Sequence, residues 1–231
     1  MKAAVYSGTR TVYYAMLAAL KSLLLHSDVE KIYLLIEDDE FPEKLPDCVE
    51  TINISKQTYI RKDSPNYNSR WTYMTAIRVA FPYIFPKLDK ILSLDCDVIA
   101  MQDVPDIWDF PVEGYYLAAA KEPRKSEATG NLYINAGVML MNLAKLRDGK
   151  SDEMIRSLNT KHYEFTEQDC ISENCKDGIL EIPSDYNVNS YTEKPKTVKM
   201  LHYAAVRNWQ GAPLFGEYLR RPWEEIMANR I

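Results

Sequence analysis

The stretch KILSLDCDVIAMQDV, residues 90–104, sets Asp95 and Asp97 one residue apart at the end of an apolar run. KILSL has the length and apolar content of a strand buried on both faces, so the aspartates fall where that strand leaves the sheet. Residues two apart in an extended chain point to the same side, which predicts that the two carboxylates converge on one point. Two like charges held so close oppose each other's ionisation, and a counter-charge is expected between them. Hard divalent cations take such oxygen ligands, and Mg2+ or Mn2+ keeps positions open for substrate phosphates. The pair by itself also admits a plainer reading, in which one aspartate caps the following turn and the other is solvated, because D-x-D is short and common.

The segments before this strand alternate in type. KAAVY (2–6) is a short apolar run stopped by Ser7 and Gly8, and Val12, Ala15, Met16, Ala19, Leu20, Leu23 and Leu24 then recur at helical spacing. KIYLLIE (31–37) is strand-like again, which makes a βαβ unit with parallel strands. ETINI (50–54) reads as a third strand. A polar, turn-rich loop runs from Ser55 to Ser69 with Asp63, Pro65 and Asn66, a length that often carries function. A helix over Thr72–Ala80 leads into KILSL. Beyond it, YYLAAA (115–120), INAGVMLMNL (134–143), ILEI (179–182) and TVKMLHY (197–203) read as strands, and helices are expected near 152–159, 167–175 and 214–229, with KEPRKSEATGN as a polar connection. The alternation predicts one α/β domain: a mainly parallel mixed sheet with helices on both faces, binding ligands at the carboxyl ends of its strands.

The chain has 231 residues, 46% hydrophobic and 26% charged, with a net charge of −5 and no internal repeat. An acidic balance offers no basic face to nucleic-acid phosphates, so no nucleic-acid partner is expected. Cys48, Cys96, Cys170 and Cys175 lie at irregular spacings without the close pairs of zinc sites, which fits a reduced, cytoplasmic setting. MKAAVYSGTRTVYY lacks a cationic segment followed by a long apolar core, and no run of about 18 apolar residues occurs, so neither a secretion signal nor a spanning helix is expected. Arg220, Arg221 and Trp223 in the last helix predict at most peripheral membrane contact. The glycine-rich phosphate loops G-x-G-x-x-G and G-x-x-x-x-G-K-[ST] are both missing. Among sixteen tyrosines, Tyr59, Tyr67, Tyr73, Tyr186 and Tyr191 lie in or near expected loops, where aromatic faces can stack on sugar rings.

D-x-D after a strand also marks haloacid-dehalogenase-type phosphatases, whose first aspartate is a nucleophile. Those enzymes carry it at their first strand, with Thr or Val two residues past the second aspartate. Here earlier strands precede it and Ile99 holds that position, which disfavours the phosphatase reading.

Four stretches in order, WTYMTAIRVAFPYIFPKLDKILSLDCDVI, YINAGVMLMNLAKLR, FTEQDCISENC and LHYAAVRNW, carry a wider pattern. Over nearly the whole length the chain resembles glycosyltransferase family 8, the retaining nucleotide-sugar transferases that include glycogenin and bacterial lipooligosaccharide galactosyltransferases. The resemblance implies a GT-A type fold, with residues 1–110 as the nucleotide-binding half and 111–231 completing the acceptor and metal site. It implies Asp95, Asp97 and His202 as ligands of Mn2+, with Mg2+ the alternative, holding the diphosphate of a uridine-diphosphate hexose. It assigns Arg78 to orienting the donor, Asn135 to the sugar, and Gln168 to the sugar face opposite the leaving group, flanked by Glu167 and Asp169. A glutamine is a poor nucleophile, which favours a front-face path in which the leaving phosphate helps deprotonate the acceptor. Arg207 stands near the family's phosphate-touching lysine, one residue short of the usual spacing and with Ala205 where glycine is usual. The first loop departs most: Tyr6, Ser7, Gly8, Thr9 and Arg10 replace the family's aspartate and asparagine. Gly8 permits close backbone approach, Arg10 can meet phosphate and Tyr6 can lie against the base.

Without the resemblance, His202 reads as a strand-end histidine satisfied by backbone, Arg78 as a helix-surface ion pair, and TEQD as a helix start capped by Thr166. With it, the expectation is Mn2+-dependent, retaining transfer of glucose or galactose to an acceptor hydroxyl, by default a saccharide of a cell-surface glycan. The rivals are a metal-dependent phosphatase or nucleotidyltransferase, and a nucleotide-sugar binding protein without turnover.

Overall fold

The computed structural model describes residues 1–189, 192, 197–204 and 228. Apart from residue 228, the expected helix at 214–229, with Arg220, Arg221 and Trp223, lies outside the described residues, as do Tyr191 and Arg207. In chain order the elements are β1 (Ala3–Ser7), α1 (Tyr13–His26), β2 (Lys31–Ile36), β3 (Val49–Asn53), α2 (Thr72–Ala76), α3 (Phe81–Ile84), β4 (Lys90–Leu94) and β5 (Val98–Ala100). They continue with β6 (Leu117–Lys121), α4 (Pro123–Thr129), β7 (Ile134–Asn142), α5 (Leu143–Leu146), α6 (Lys150–Thr160), α7 (Thr166–Asn174), β8 (Ile179–Ile182) and β9 (Met200–His202).

Seven strands form one sheet in the order β3-β2-β1-β4-β7-β6-β8. β7 runs antiparallel to both neighbours and every other pairing is parallel, the mixed, mainly parallel sheet expected from the alternation of elements. The central strands bury both faces, which is why AAVYS and INAGVMLMN are apolar without alternation. Successive residues nonetheless feed opposite sides: Ala4, Tyr6, Leu92 and Leu94 pack with α1, whereas Ala3, Val5 and Ile91 pack with the helical residues from Tyr73 to Phe81 and with α7. Each face of the sheet thus has its own core, and the carboxyl ends of β1 and β4 emerge between them.

The structure departs from the sequence expectations at several points. The helix begun at Thr72 continues past Ala80 through a 3-10 turn over Ile77–Ala80 into α3, because Pro82 falls at a helix start, where its missing N–H costs nothing. KEPRKSEATGN contains α4, started by Pro123 and stopped by Gly130 at φ +68, whose N–H donates to the Ser126 carbonyl (2.9 Å). TVKMLHY yields only three strand residues, and these leave the main sheet to form a two-stranded antiparallel sheet with β5.

The loop between β3 and α2 is fastened to α6. Fully buried Asn66 donates to the carbonyls of Leu158 (2.6 Å) and Lys161 (2.7 Å) and accepts from the Tyr163 N–H (2.9 Å), while Ser64 Oγ donates to the Leu158 carbonyl (2.7 Å). Tyr67 and Tyr73 stack on each other 4.8 Å apart and Tyr73 is buried, so neither stands free in a groove. Asn66→Ala leaves several buried backbone groups unpaired. It is expected to cost at least about 2 kcal/mol, read as a melting temperature lower by roughly 4–8 °C; a shift under 1 °C in a thermal melt, well below that range, contradicts the fastening.

Candidate functional site

The chain leaves β4 at Leu94 and turns at once. The Asp95 N–H donates to the Gly137 carbonyl of β7 (2.9 Å), and the Val98 N–H reaches back to the Asp95 carbonyl (3.2 Å). Asp95, Cys96 and Asp97 therefore form a tight turn and not a strand, a correction to the simple two-residue periodicity. The carboxylates converge because the backbone reverses beneath them. Cys96 points inward, its thiol donating to the Ser7 carbonyl (3.3 Å).

The turn delivers the chain into β5, which pairs with β9 in a register that sets Val98 opposite His202, Ile99 opposite Leu201 and Ala100 opposite Met200. The Tyr203 N–H donates to the Asp97 carbonyl (3.0 Å) and the His202 N–H to the Val188 carbonyl (2.8 Å). His202 Nε2 consequently stands 3.3 Å from Asp95 Oδ2 and 3.3 Å from Asp97 Oδ1. One ligand atom from each residue falls within a span of 4.8 Å. A divalent ion with bonds near 2.1 Å sets adjacent ligand atoms about 3 Å apart, so two carboxylates and an imidazole in this arrangement fit such an ion. The aspartates are open to solvent, with side chains 27% and 19% exposed, while the histidine is 5% exposed.

Arg78 lies beneath this group, fully buried. Its Nη2 binds Asp95 Oδ1, its Nη1 donates to the Ala136 carbonyl (2.8 Å), and the same Nη1 lies 3.6 Å from Glu167 Oε1. The guanidinium thus braces the metal-side acid from below and is neither a helix-surface ion pair nor exposed to a donor. Burial opposes ionisation of Asp95, but Arg78 and His202 outweigh it and hold the carboxyl well below its ordinary range. Burial likewise opposes a charge on His202, and the two aspartates overcome it, raising the imidazole to about 10. For Glu167 burial wins over Arg78, and its carboxyl titrates above the usual range.

β7 supplies the floor. A Cβ at Gly137 would lie 2.3–2.4 Å from the His202 ring, so only glycine lets the imidazole lie flat across the strand. The Gly137 N–H donates to Asn135 Oδ1 (3.0 Å), which also accepts from Asn187 Nδ2 (3.0 Å). Asn187 Oδ1 lies 2.9 Å from His202 Nδ1. Gln168 Oε1 accepts the Ala136 N–H (3.0 Å), and its Nε2 donates to Tyr133 Oη (3.3 Å). Asp169 accepts from Tyr133 Oη (2.5 Å) and from the Phe165 N–H (2.8 Å). The helix start is therefore closed by Asp169 and not by Thr166, which sits at φ +40 with its hydroxyl turned to Ser69 Oγ (3.1 Å).

The first loop is otherwise engaged. Tyr6 is 1% exposed within the core and presents no ring face to a base, contrary to expectation. Ser7 Oγ donates to the Met74 carbonyl (2.8 Å), and the space a Gly8 side chain would need is filled by Val12 Cγ2 at 2.4 Å, so this glycine serves packing within the chain. Thr9 and Thr11 share a hydrogen bond (2.8 Å). Arg10 forms a two-bond ion pair with Asp38 (2.6 and 3.2 Å), which also accepts from Tyr13 Oη (2.9 Å). Tyr186 is likewise buried, its hydroxyl bound to Asp106 (2.5 Å) and Lys199 (2.6 Å). Asn187 and Asp38 lie in no recognisable motif, and sequence inspection passed over both.

The sequence model described as Glycosyl transferase family 8 matches residues 5–210. The chain belongs to glycosyltransferase family 8. This family 8 chain is 27% identical over 249 aligned residues to the glycosyltransferase GlyE of Streptococcus pneumoniae serotype 4, covering 100% of this chain and 59% of that protein. It is 29% identical over 136 residues to the lipopolysaccharide 1,2-glucosyltransferase of Escherichia coli K12, covering 53% and 40% of the two. The chain therefore spans less than two thirds of the length of these curated relatives. Its fold matches the galactosyltransferase LgtC in complex with donor and acceptor sugar analogues, at a TM-score of 0.74 and 18% identity over 99% of this chain and 97% of that one. Among the described residues no helix is long and apolar enough to cross a membrane.

A raised histidine pKa stabilises the fold below its unfolded value and loses that contribution as pH climbs through the folded value. With chelator present, the melting temperature is expected to fall between pH 6.5 and about 10, and His202→Gln to flatten the slope. Equal slopes in the two proteins refute the imidazolium–carboxylate pairing.

Proposed function

We propose that the chain is a metal-dependent, retaining glycosyltransferase that moves glucose or galactose from a uridine-diphosphate sugar to a hydroxyl of a saccharide acceptor, in the cytoplasm and toward a cell-surface glycan. The observation that carries the reading is the convergence of Asp95, Asp97 and His202 at the carboxyl end of β4 in a family 8 chain. The names of its relatives support the finer terms: one is a lipopolysaccharide glucosyltransferase and a structural neighbour is a galactosyltransferase. In this reading residues 1–110 bind the nucleotide and contribute the two aspartates, and residues 111–231 complete the metal and acceptor site, with Arg207 as a phosphate-facing cation.

Asp95, Asp97 and His202 would hold Mn2+, or Mg2+ less readily given the nitrogen donor; such an ion would supply positive charge to offset that of a departing diphosphate. Arg78 acts from below, keeping Asp95 ionised and aimed at the ion. Asn135 has its Oδ1 filled by Gly137 and Asn187, so it meets the hexose with its amide N–H groups. The bonds around α7 favour the front-face path. Gln168 Oε1 is held by the Ala136 N–H, both Asp169 oxygens are hydrogen-bonded, and buried Glu167 faces Arg78. None of the three is set up as a nucleophile. The acceptor oxygen therefore bonds to the anomeric carbon on the side the diphosphate leaves, the carbon–oxygen bond to phosphate breaks, and the acceptor proton passes to a diphosphate oxygen.

Incubation with uridine-diphosphate glucose or galactose and Mn2+ is expected to release uridine diphosphate slowly, and a chelator to stop it. A phosphatase would release inorganic phosphate, and a binding protein nothing. Asp97→Ala should abolish the Mn2+-dependent thermal stabilisation by uridine diphosphate; a melting shift equal to that of the parent protein removes Asp97 from the ligand set. Gln168→Ala should leave donor affinity nearly unchanged and slow transfer on the order of 100-fold, whereas equal losses in binding and turnover would place it elsewhere.

A further inference from the structure

The backbone beside His202 fixes the polarity of the hydrogen bond at its Nδ1. The Gly137 N–H can only donate, so the Asn135 atom it meets at 3.0 Å is the acceptor Oδ1. The Asn187 atom 3.0 Å from that same oxygen must then be the donor Nδ2, which also reaches the Asn135 backbone carbonyl at 3.3 Å. The opposite end of the Asn187 amide is therefore Oδ1, an acceptor, 2.9 Å from His202 Nδ1. All three side chains are buried, so water does not compete for these atoms. A neutral imidazole in this setting keeps its proton on Nδ1 and turns the Nε2 lone pair toward Asp95 and Asp97.

We propose that Asn187 is a positioning residue that sets the tautomer and ring orientation of His202 for metal ligation, and that the same amide holds Asn135 with its N–H groups outward. The proposal rests on the assignment of Asp95, Asp97 and His202 as metal ligands. Histidine ligands in metal sites depend on such a partner at the second ring nitrogen, and losing it weakens metal binding by about 10- to 100-fold. Asn187 holds two functions in one register: its oxygen end serves the metal ligand and its nitrogen end serves the residue that faces the hexose. A change that spares one end separates them.

The test is Mn2+ affinity, read from the electron paramagnetic resonance signal of free Mn2+ at pH 7.5, for the parent protein, Asn187→Asp, Asn187→Leu and Asn187→Ala. Asn187→Asp keeps an acceptor for Nδ1–H and loses the donor to Asn135. Its Mn2+ affinity is expected to stay within about threefold of the parent or to rise, while Asn187→Leu and Asn187→Ala weaken it by about 10- to 100-fold. The metal-free melting temperature of each variant separates loss of fold from loss of ligation, and having both Leu and Ala keeps the comparison alive should one not fold. Leu and Ala variants with parental affinity, or an Asp variant as weak as they are, overturn the proposal and leave the metal assignment standing. A parent protein that binds no Mn2+ overturns both.

Discussion

The pairing of Val98–Ala100 with Met200–His202 is the constraint on which the site depends. It spans only three residues on each strand, too few for backbone hydrogen bonds alone to hold. Its strength comes from burial: Val98, Ile99, Ala100, Met200 and Leu201 all belong to the core on the α1 side of the sheet. A parallel bridge from Val188 to Leu201 closes its other edge. The histidine is thus carried to the aspartates by apolar packing, and its approach to them follows from the register.

Around that pairing the charges are layered. Below the turn, Arg78 is a permanent cation that binds Asp95, the Ala136 carbonyl and Glu167. This one guanidinium ties together the helical segment after α2, the β4 turn, β7 and the start of α7. Above the turn the aspartates face solvent, and beside them His202 is a cation that can give up its proton. A divalent ion bound there would meet one acid already held ionised from beneath and an imidazole that must first lose its proton, which would couple binding to proton release.

β7 works as the reference surface. Its antiparallel run places the Ala136 carbonyl over Arg78, the Ala136 N–H on Gln168, the Gly137 carbonyl on the Asp95 N–H and the Gly137 N–H on Asn135. Four backbone groups of two consecutive residues thereby hold the Arg78, Gln168 and Asn135 side chains and the backbone of Asp95. These groups are free to bond side chains because the β4–β7 register ends at Val138 and the β6–β7 register shifts between Met139 and Ile134.

The order of strands and helices, the burial of the central strands and the position of the acidic pair were legible in the chain, because element type follows from short-range periodicity. The motif set was legible too, since INAGV and TEQD each lie within one element and WTYMTAIR within one short helical run. What failed was whatever depended on partners distant in sequence. Tyr6 looked like a base platform, yet α1 packs it into the core; Thr166 looked like a cap, yet Asp169 closes the helix. Asn187 had no signal at all, since an asparagine 15 residues from His202 acquires meaning only when the chain folds back. The sequence by itself determined that two acids and a histidine were present and which elements carry them. Only the tertiary structure decided that they meet, because that rests on a three-residue pairing whose energy lies in shared burial, and shared burial has no local pattern.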